Sequence, residues 1–170
     1  MGLFDTAALT IARTVAATVH RDDVDKQGRS YLDHHLAPVA RLARSIAQAA
    51  GLPDETVALI EAVAWLHDSI EDHGLTADDF DRWGIPEVYP HVLRLSHDKS
   101  TPYQLYIVGL CATNDVIAII VKLADNIVNQ STLDALDAAT RERLTAKYEM
   151  AFRLLFAALS AILAPLPERT

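Results

Sequence analysis

The stretch Trp65-Leu66-His67-Asp68-Ser69-Ile70-Glu71-Asp72 sets the terms for the whole chain, because four groups that bind metals or move protons stand at adjacent and four-apart positions. On a helix they form one polar stripe. The run before it, Thr56 to Ala64, is apolar on most sides, so the stripe lies at the end of a helix that is buried. Carboxylates and imidazoles carried into a core need partners, since an unpaired buried charge costs several kcal/mol or more. A metal ion is one such partner.

Working outward, a chain of 170 residues suffices for one domain with a real core. Hydrophobic residues make up 51% and charged ones 22%, without repeats or low-complexity tracts, which points away from disorder and solenoids. Asp and Glu number 23 against 15 Lys and Arg, a net charge of −8, and no long basic run exists. A nucleic-acid binder needs a basic footprint to displace counterions, so that class is set aside. A small anion held through a metal is not. The single cysteine, Cys111, stands among Val108, Leu110 and Ala112 and reads as a small core residue in a reducing compartment. The N-terminus lacks a secretory pattern, and the most apolar late stretch, Leu154 to Leu166, is too short to span a bilayer. A soluble cytoplasmic protein with no membrane partner is expected.

Every periodic segment is helical. Asp5 or Thr6 caps a first helix running to about Val19, followed by a polar loop from His20 to Ser30. Pro38 belongs in a first turn, so the helix ending near Ala50 and Gly51 starts a few residues before it, at His34 or His35. Pro53-Asp54-Glu55 opens the helix that carries the stripe as far as Gly74. Short helices follow over Thr76 to Trp83 and Glu87 to Leu95, then a loop, Ser96 to Pro102, whose His97-Asp98 dipeptide is read as plain loop. Tyr103 to Cys111 is helical. Val116 to Val121 has strand-like β-branched content, but the pattern runs unbroken to Asn129, which is long for a strand and ordinary for a buried helix. One long helix from about Leu136 to Leu163 places Leu144, Tyr148, Phe152, Leu155, Leu159 and Ile162 inside, and its amphipathic face leaves room for a homo-oligomer. The expectation is an all-α, single-domain bundle of roughly seven helices over residues 1–170.

Three of these helices offer ligands from apolar surroundings: His35 or His34, the His67-Asp68 pair, and Asp125. Two imidazoles and two carboxylates suit one borderline divalent ion, Mn foremost, with Fe, Co, Ni or Zn of the same class, better than Ca or Mg. Such an ion lowers the pKa of a bound water to about 7. Glu71, one turn beyond His67, is placed to orient or deprotonate that water.

The order His, His-Asp, Asp, each on a helix, resembles the HD-domain metal-dependent phosphohydrolase superfamily over most of the chain, from about His20 to Asn129. Within it, His67-Asp68-Ser69-Ile70-Glu71-Asp72 is similar to the HD-x-x-ED motif of RelA/SpoT-type (small alarmone) hydrolases, which act on guanosine tetraphosphate (ppGpp). Lys122-Leu123-Ala124-Asp125-Asn126-Ile127-Val128-Asn129 resembles their K-L-A-D-x-x-x-N, and Lys26-Gln27-Gly28-Arg29-Ser30-Tyr31 their K-x-G-x-x-Y. The resemblance implies metal ligation by His35, His67, Asp68 and Asp125, water activation by Glu71 with Asp72, and substrate contact by Lys26 and Asn129. Counting from Tyr31 selects His34 as first ligand; counting back from Val39-Ala40 selects His35, which is preferred.

Two positions depart from the pattern. Asp25 stands where those hydrolases carry an arginine before the lysine, and Asn126 replaces the basic residue after the metal aspartate. They bear on the substrate more than on the reaction. The resemblance therefore implies a metal-dependent phosphohydrolase acting on a small-molecule nucleotide, with ppGpp 3′-pyrophosphohydrolase foremost. A deoxynucleotide phosphohydrolase (5′-monophosphatase or triphosphohydrolase) is the alternative, since HD-x-x-E there does not require Asp72. A non-catalytic regulatory module would lack a ligand or Glu71, and neither is missing here.

Overall fold

The β-branched run Val116 to Val121 is the start of a helix, α8 (Val116–Ser131), and the fold is arranged about it. The computed structural model describes residues 3–164, with side chains from residue 7 onward. Among them the chain forms α1 (Leu3–Val19), a π turn (Leu32–Leu36), α2 (Ala37–Ala49), α3 (Asp54–Leu66), α4 (Ser69–His73), α5 (Ala77–Trp83), α6 (Tyr89–Leu95), α7 (Tyr103–Ala112), α8, a 3-10 turn (Leu133–Ala135) and α9 (Ala138–Leu163). The only pairing of β type among the described residues is one isolated bridge, Val24 with Ser30. The all-α expectation holds, with nine helices among the described residues where roughly seven were expected, the helix through Asp54 to Gly74 being two.

α8 touches α2, α3, α6, α7 and α9, and α3 lies between α1 and α2. Its residues from Ala118 to Asn126 are all buried. The stretch Val116–Ala135 is long and apolar enough to cross a membrane by composition, yet 67% of it is buried inside the bundle, as befits a core helix. Ile119 and Ile120 join Leu36, Ile60, Leu66, Phe80 and Leu155 in one fully buried cluster. Asp115 caps α8 by accepting from the Ile117 and Ala118 N–H groups, and His91 and Arg94 hold its other oxygen.

Several boundaries differ from the sequence expectation for identifiable reasons. α1 begins at Leu3, ahead of Asp5 and Thr6, whose side chains lie outside the described residues, as does the Pro165–Pro167 tail. The chain ahead of Pro38 is already helical at Leu32, one turn earlier than the proline implies. That turn is of π type, closed by an Ala37 N–H to Leu32 carbonyl bond, so it is complete before the residue that has no N–H. The helix expected to run from Asp54 to Gly74 is two, broken at His67-Asp68. There the His67 Nδ1–H donates to the Ala64 carbonyl (2.9 Å) and the Ser69 hydroxyl to the Leu66 carbonyl (2.6 Å), so side chains satisfy the end of α3. α9 starts at Ala138 behind an Asp137 cap. Its buried face is Leu144, Tyr148, Ala151, Leu155 and Leu159; Phe152, one position out of that register, is 37% exposed and stacks on Phe156.

Gly74 ends α4 at φ 67°, a left-handed conformation that costs other residues about 1–2 kcal/mol. A Cβ there would meet nothing within 4 Å, so Gly74→Ala carries the backbone term alone. Urea unfolding should show a loss of about 1 kcal/mol; an unchanged midpoint would contradict the assignment.

Candidate active site

His67 and Asp68 lie in the turn between α3 and α4, and that turn explains how neighbours come to share a target. In a continuous helix adjacent side chains diverge by about 100°; here His67 Nε2 lies 3.0 Å from Asp68 Oδ2. The last residues of the π turn bring in His35, whose Nε2 is 3.4 Å from His67 Nε2 and 3.5 Å from Asp68 Oδ2. From the second half of α8, Asp125 Oδ1 approaches His35 Nε2 at 3.4 Å and His67 Nε2 at 3.8 Å. The ligand atoms of His35, His67 and Asp68 all lie within 4.8 Å of one another. His34, the other candidate, is exposed beside the 24–27 loop.

These donors fit a divalent ion. His67 gives its Nδ1–H to the Ala64 carbonyl, which fixes the ring and leaves Nε2 free to face the cluster. Asp68 is oriented by the Tyr31 hydroxyl (2.5 Å), and Tyr31 also stacks on His35. Asp125 is held by Lys122 Nζ on Oδ2 (2.9 Å) and by the Asn129 amide on Oδ1. Burial disfavours a charged His67, but Asp68 and Asp125 outweigh it and lift its pKa to about 10. The same two carboxylates raise His35 against its burial. In the metal-free protein, the protonated His67 imidazole thus supplies positive charge between the aspartates.

A pH prediction follows from that substitution. His67 is raised from 6.5 to about 10, so its protonation stabilises the metal-free fold fully below 6.5, and the contribution is lost as pH rises through about 10. Coordination needs the Nε2 lone pair, so at about pH 8 a metal ion displaces the His67 proton. Calorimetric Mn titrations in buffers of different ionisation heats should show proton release that fades above pH 10. Heats independent of buffer at about pH 8 would contradict this charge assignment.

Next to these four residues is a cavity of about 210 Å3 lined by Tyr31, Asp68, Glu71, Asp72, His97, Tyr103, Lys122, Asp125, Asn129, Lys147 and Tyr148. Glu71 sits on α4, its Oε2 accepting from the His97 N–H (3.1 Å) and its Oε1 3.7 Å from Lys99 Nζ. Burial, with Asp68 and Glu71 nearby, raises the Asp72 pKa from its ordinary value. Lys26 reaches in from its loop, Nζ 3.4 Å from both Asn129 Oδ1 and Tyr148 Oη, and burial lowers its pKa. All eight residues expected at the site therefore lie at this cavity or in contact with its lining.

Other members were not read from the sequence. The helical period places Tyr148 in the core and gives Tyr103 and Lys147 no site role, yet Lys147 Nζ stands 3.9 Å over the Tyr103 ring within the cavity wall. A lysine beside a tyrosine on the inward side of the last helix was the available signal. His97, read as plain loop, lies in a loop as expected but supplies Glu71 with its N–H. Asp25 accepts from the Gln27 and Arg29 N–H groups and from the Arg29 guanidinium, which holds its pKa at about 2. It closes the loop that presents Lys26. Asn126 accepts from the Tyr103 hydroxyl at 3.2 Å.

No family model and no curated protein matches the chain. Among solved structures the chain is similar to a metazoan ortholog of SpoT that hydrolyzes ppGpp and plays a role in starvation responses. The TM-score is 0.70 at 22% sequence identity, over 91% of this chain and 93% of that one. The helical bundle of this protein has the fold of that hydrolase.

Proposed function

We propose that this protein is a metal-dependent phosphohydrolase acting on a nucleotide, with the 3′-pyrophosphate of ppGpp as its substrate. The observation that carries the reading is the convergence of His35, His67, Asp68 and Asp125 on one point at the edge of a cavity that also holds Glu71, Asp72 and a lysine rim. The similarity in fold to a ppGpp hydrolase supports it. A divalent ion held by those four residues, Mn in our reading, supplies positive charge that polarises a phosphoryl oxygen and acidifies a water. Lys26 and Lys147 neutralise phosphate charge, and Asn129 with Tyr148 fixes the substrate beside them. Glu71, positioned by the His97 N–H, accepts the proton of the attacking water as its oxygen bonds to phosphorus. Asp72, in the same cavity beside Glu71, is the group placed to return a proton to the departing 3′ oxygen as the P–O bond breaks. The chain works as one domain over residues 1–170, in the cytoplasm.

The test is to incubate Mn-loaded protein with ppGpp and, separately, with deoxynucleoside mono- and triphosphates, and to resolve the products chromatographically. Pyrophosphate released from the 3′ position alone is the expected result. Cleavage of the deoxynucleotides with ppGpp untouched would sink the substrate assignment and leave the reaction class standing.

A further inference from the structure

On the far side of Tyr31 from the ligand cluster, His20 at the end of α1, Asp23 in the following loop and His73 at the end of α4 meet. His20 Nδ1 and His73 Nε2 both lie 2.7 Å from the same oxygen, Asp23 Oδ2, and the two rings pack edge to face with centroids 4.6 Å apart. The His20 side chain has no exposed surface, whereas those of His73 and Asp23 are 29% and 34% exposed. The group thus has a closed back and an open front. The front faces a cavity of about 380 Å3 lined by Asp22, Asp23, Val24, Tyr31, Asp72 and His73.

Charge and ligand chemistry point the same way. Three carboxylates line this cavity and no lysine or arginine does; the ion-pair partners of Asp23 are the two imidazoles. Burial lowers the His20 pKa, which keeps the ring neutral near pH 7, the form that ligates. Its Nε2 is buried without a hydrogen-bond partner, a cost that an apolar ring of similar size would avoid. Two imidazoles and a carboxylate are the donor set of borderline divalent ions. Bonds of ~2.0–2.2 Å place tetrahedral ligands ~3.3 Å apart, so zinc requires the two open-side groups to separate by roughly half an ångström.

We propose that His20, Asp23 and His73 form a second divalent-cation site of the zinc class, separate from the His35, His67, Asp68 and Asp125 cluster, with water on its open side. The ion ties the 20–30 loop, which carries Lys26, to α4, which carries Glu71 and Asp72. The proposal does not depend on the reaction assigned above.

The test uses the full chain, stripped of metal with a chelator and titrated with Zn alone by calorimetry, with bound metal counted by mass spectrometry. Wild type should take up two equivalents, His73→Ala and Asp23→Asn one each, and Asp125→Ala one. Both His73 and Asp23 are on the open side, and a circular-dichroism spectrum matching wild type confirms that their variants fold. A wild-type protein that binds one equivalent, kept in His73→Ala and lost in Asp125→Ala, overturns the proposal. Two equivalents retained in His73→Ala overturn it equally. One equivalent lost in His73→Ala but kept in Asp125→Ala would support this site and refute the other.

Discussion

Asp125→Ala should abolish both metal binding and turnover, while Glu71→Gln should keep the metal and lose turnover alone. Asp125 Oδ1 is the carboxylate oxygen facing both His35 and His67, and its other oxygen is tied to Lys122. Removing it takes away that carboxylate and leaves the buried Lys122 ammonium without its partner next to the place where the proposed cation binds. Affinity should fall by more than the 10–100-fold typical of losing a residue that only supports a ligand. Glu71 instead contacts the His97 N–H and Lys99, and glutamine keeps its shape without its basicity. Loss of a general base costs on the order of 10²–10⁴ in kcat. His34→Ala, altering an exposed residue next to the first ligand, is the control that should change neither quantity. Full metal and activity in Asp125→Ala would show the ligand set to be wrong.

The second large effect concerns stability. Lys122 is 9% exposed and its ammonium lies 2.9 Å from Asp125. Lys122→Met keeps much of the side-chain volume and leaves the buried Asp125 without its principal cation. Breaking a buried pair from one side costs about 3–5 kcal/mol, which for a chain of this size lowers Tm by roughly 10 °C. The loss should be largest in chelator and shrink when Mn is added, because the ion restores the missing positive charge. Acid sensitivity should shift as well. Lys122 is foremost among the groups holding the Asp125 pKa well below 3.8, so the stability Asp125 contributes is present above that pH and lost only on strong acidification. Without the lysine that loss should begin at higher pH. Identical melting of variant and wild type in chelator would mean that the pair contributes nothing.

The helices were legible because their periods are long and their punctuation, Gly51, Pro53, Gly74 and Gly84, is of the types that local backbone geometry requires. What sequence spacing could not convey was departure from the α period. The break at His67-Asp68 depends on two side chains taking carbonyls, which no hydrophobic pattern records. The disagreement between His34 and His35 has a similar origin. Counting forward from Tyr31 and backward from Val39 gives different answers, and the segment between them is a π turn, which holds one more residue than an α turn. His35, in that turn, is the one of the two that lies among the other candidate ligands. Tyr103, Lys147 and Tyr148 were harder still, since their membership rests on how α7 and α9 pack against α8, a tertiary fact.

The four residues read as metal ligands are supplied by segments about 30 and 60 residues apart along the chain, and only the packing of α2, α3 and α8 brings them together. An unfolded chain presents the same side chains at random separations and holds the ion poorly. Binding is then linked to folding: free metal at a thousand times its Kd adds about 4 kcal/mol to the native state. The protein's apparent melting temperature should therefore vary with the free metal concentration around it, and chelation would shorten its lifetime against proteases as well as stop its chemistry.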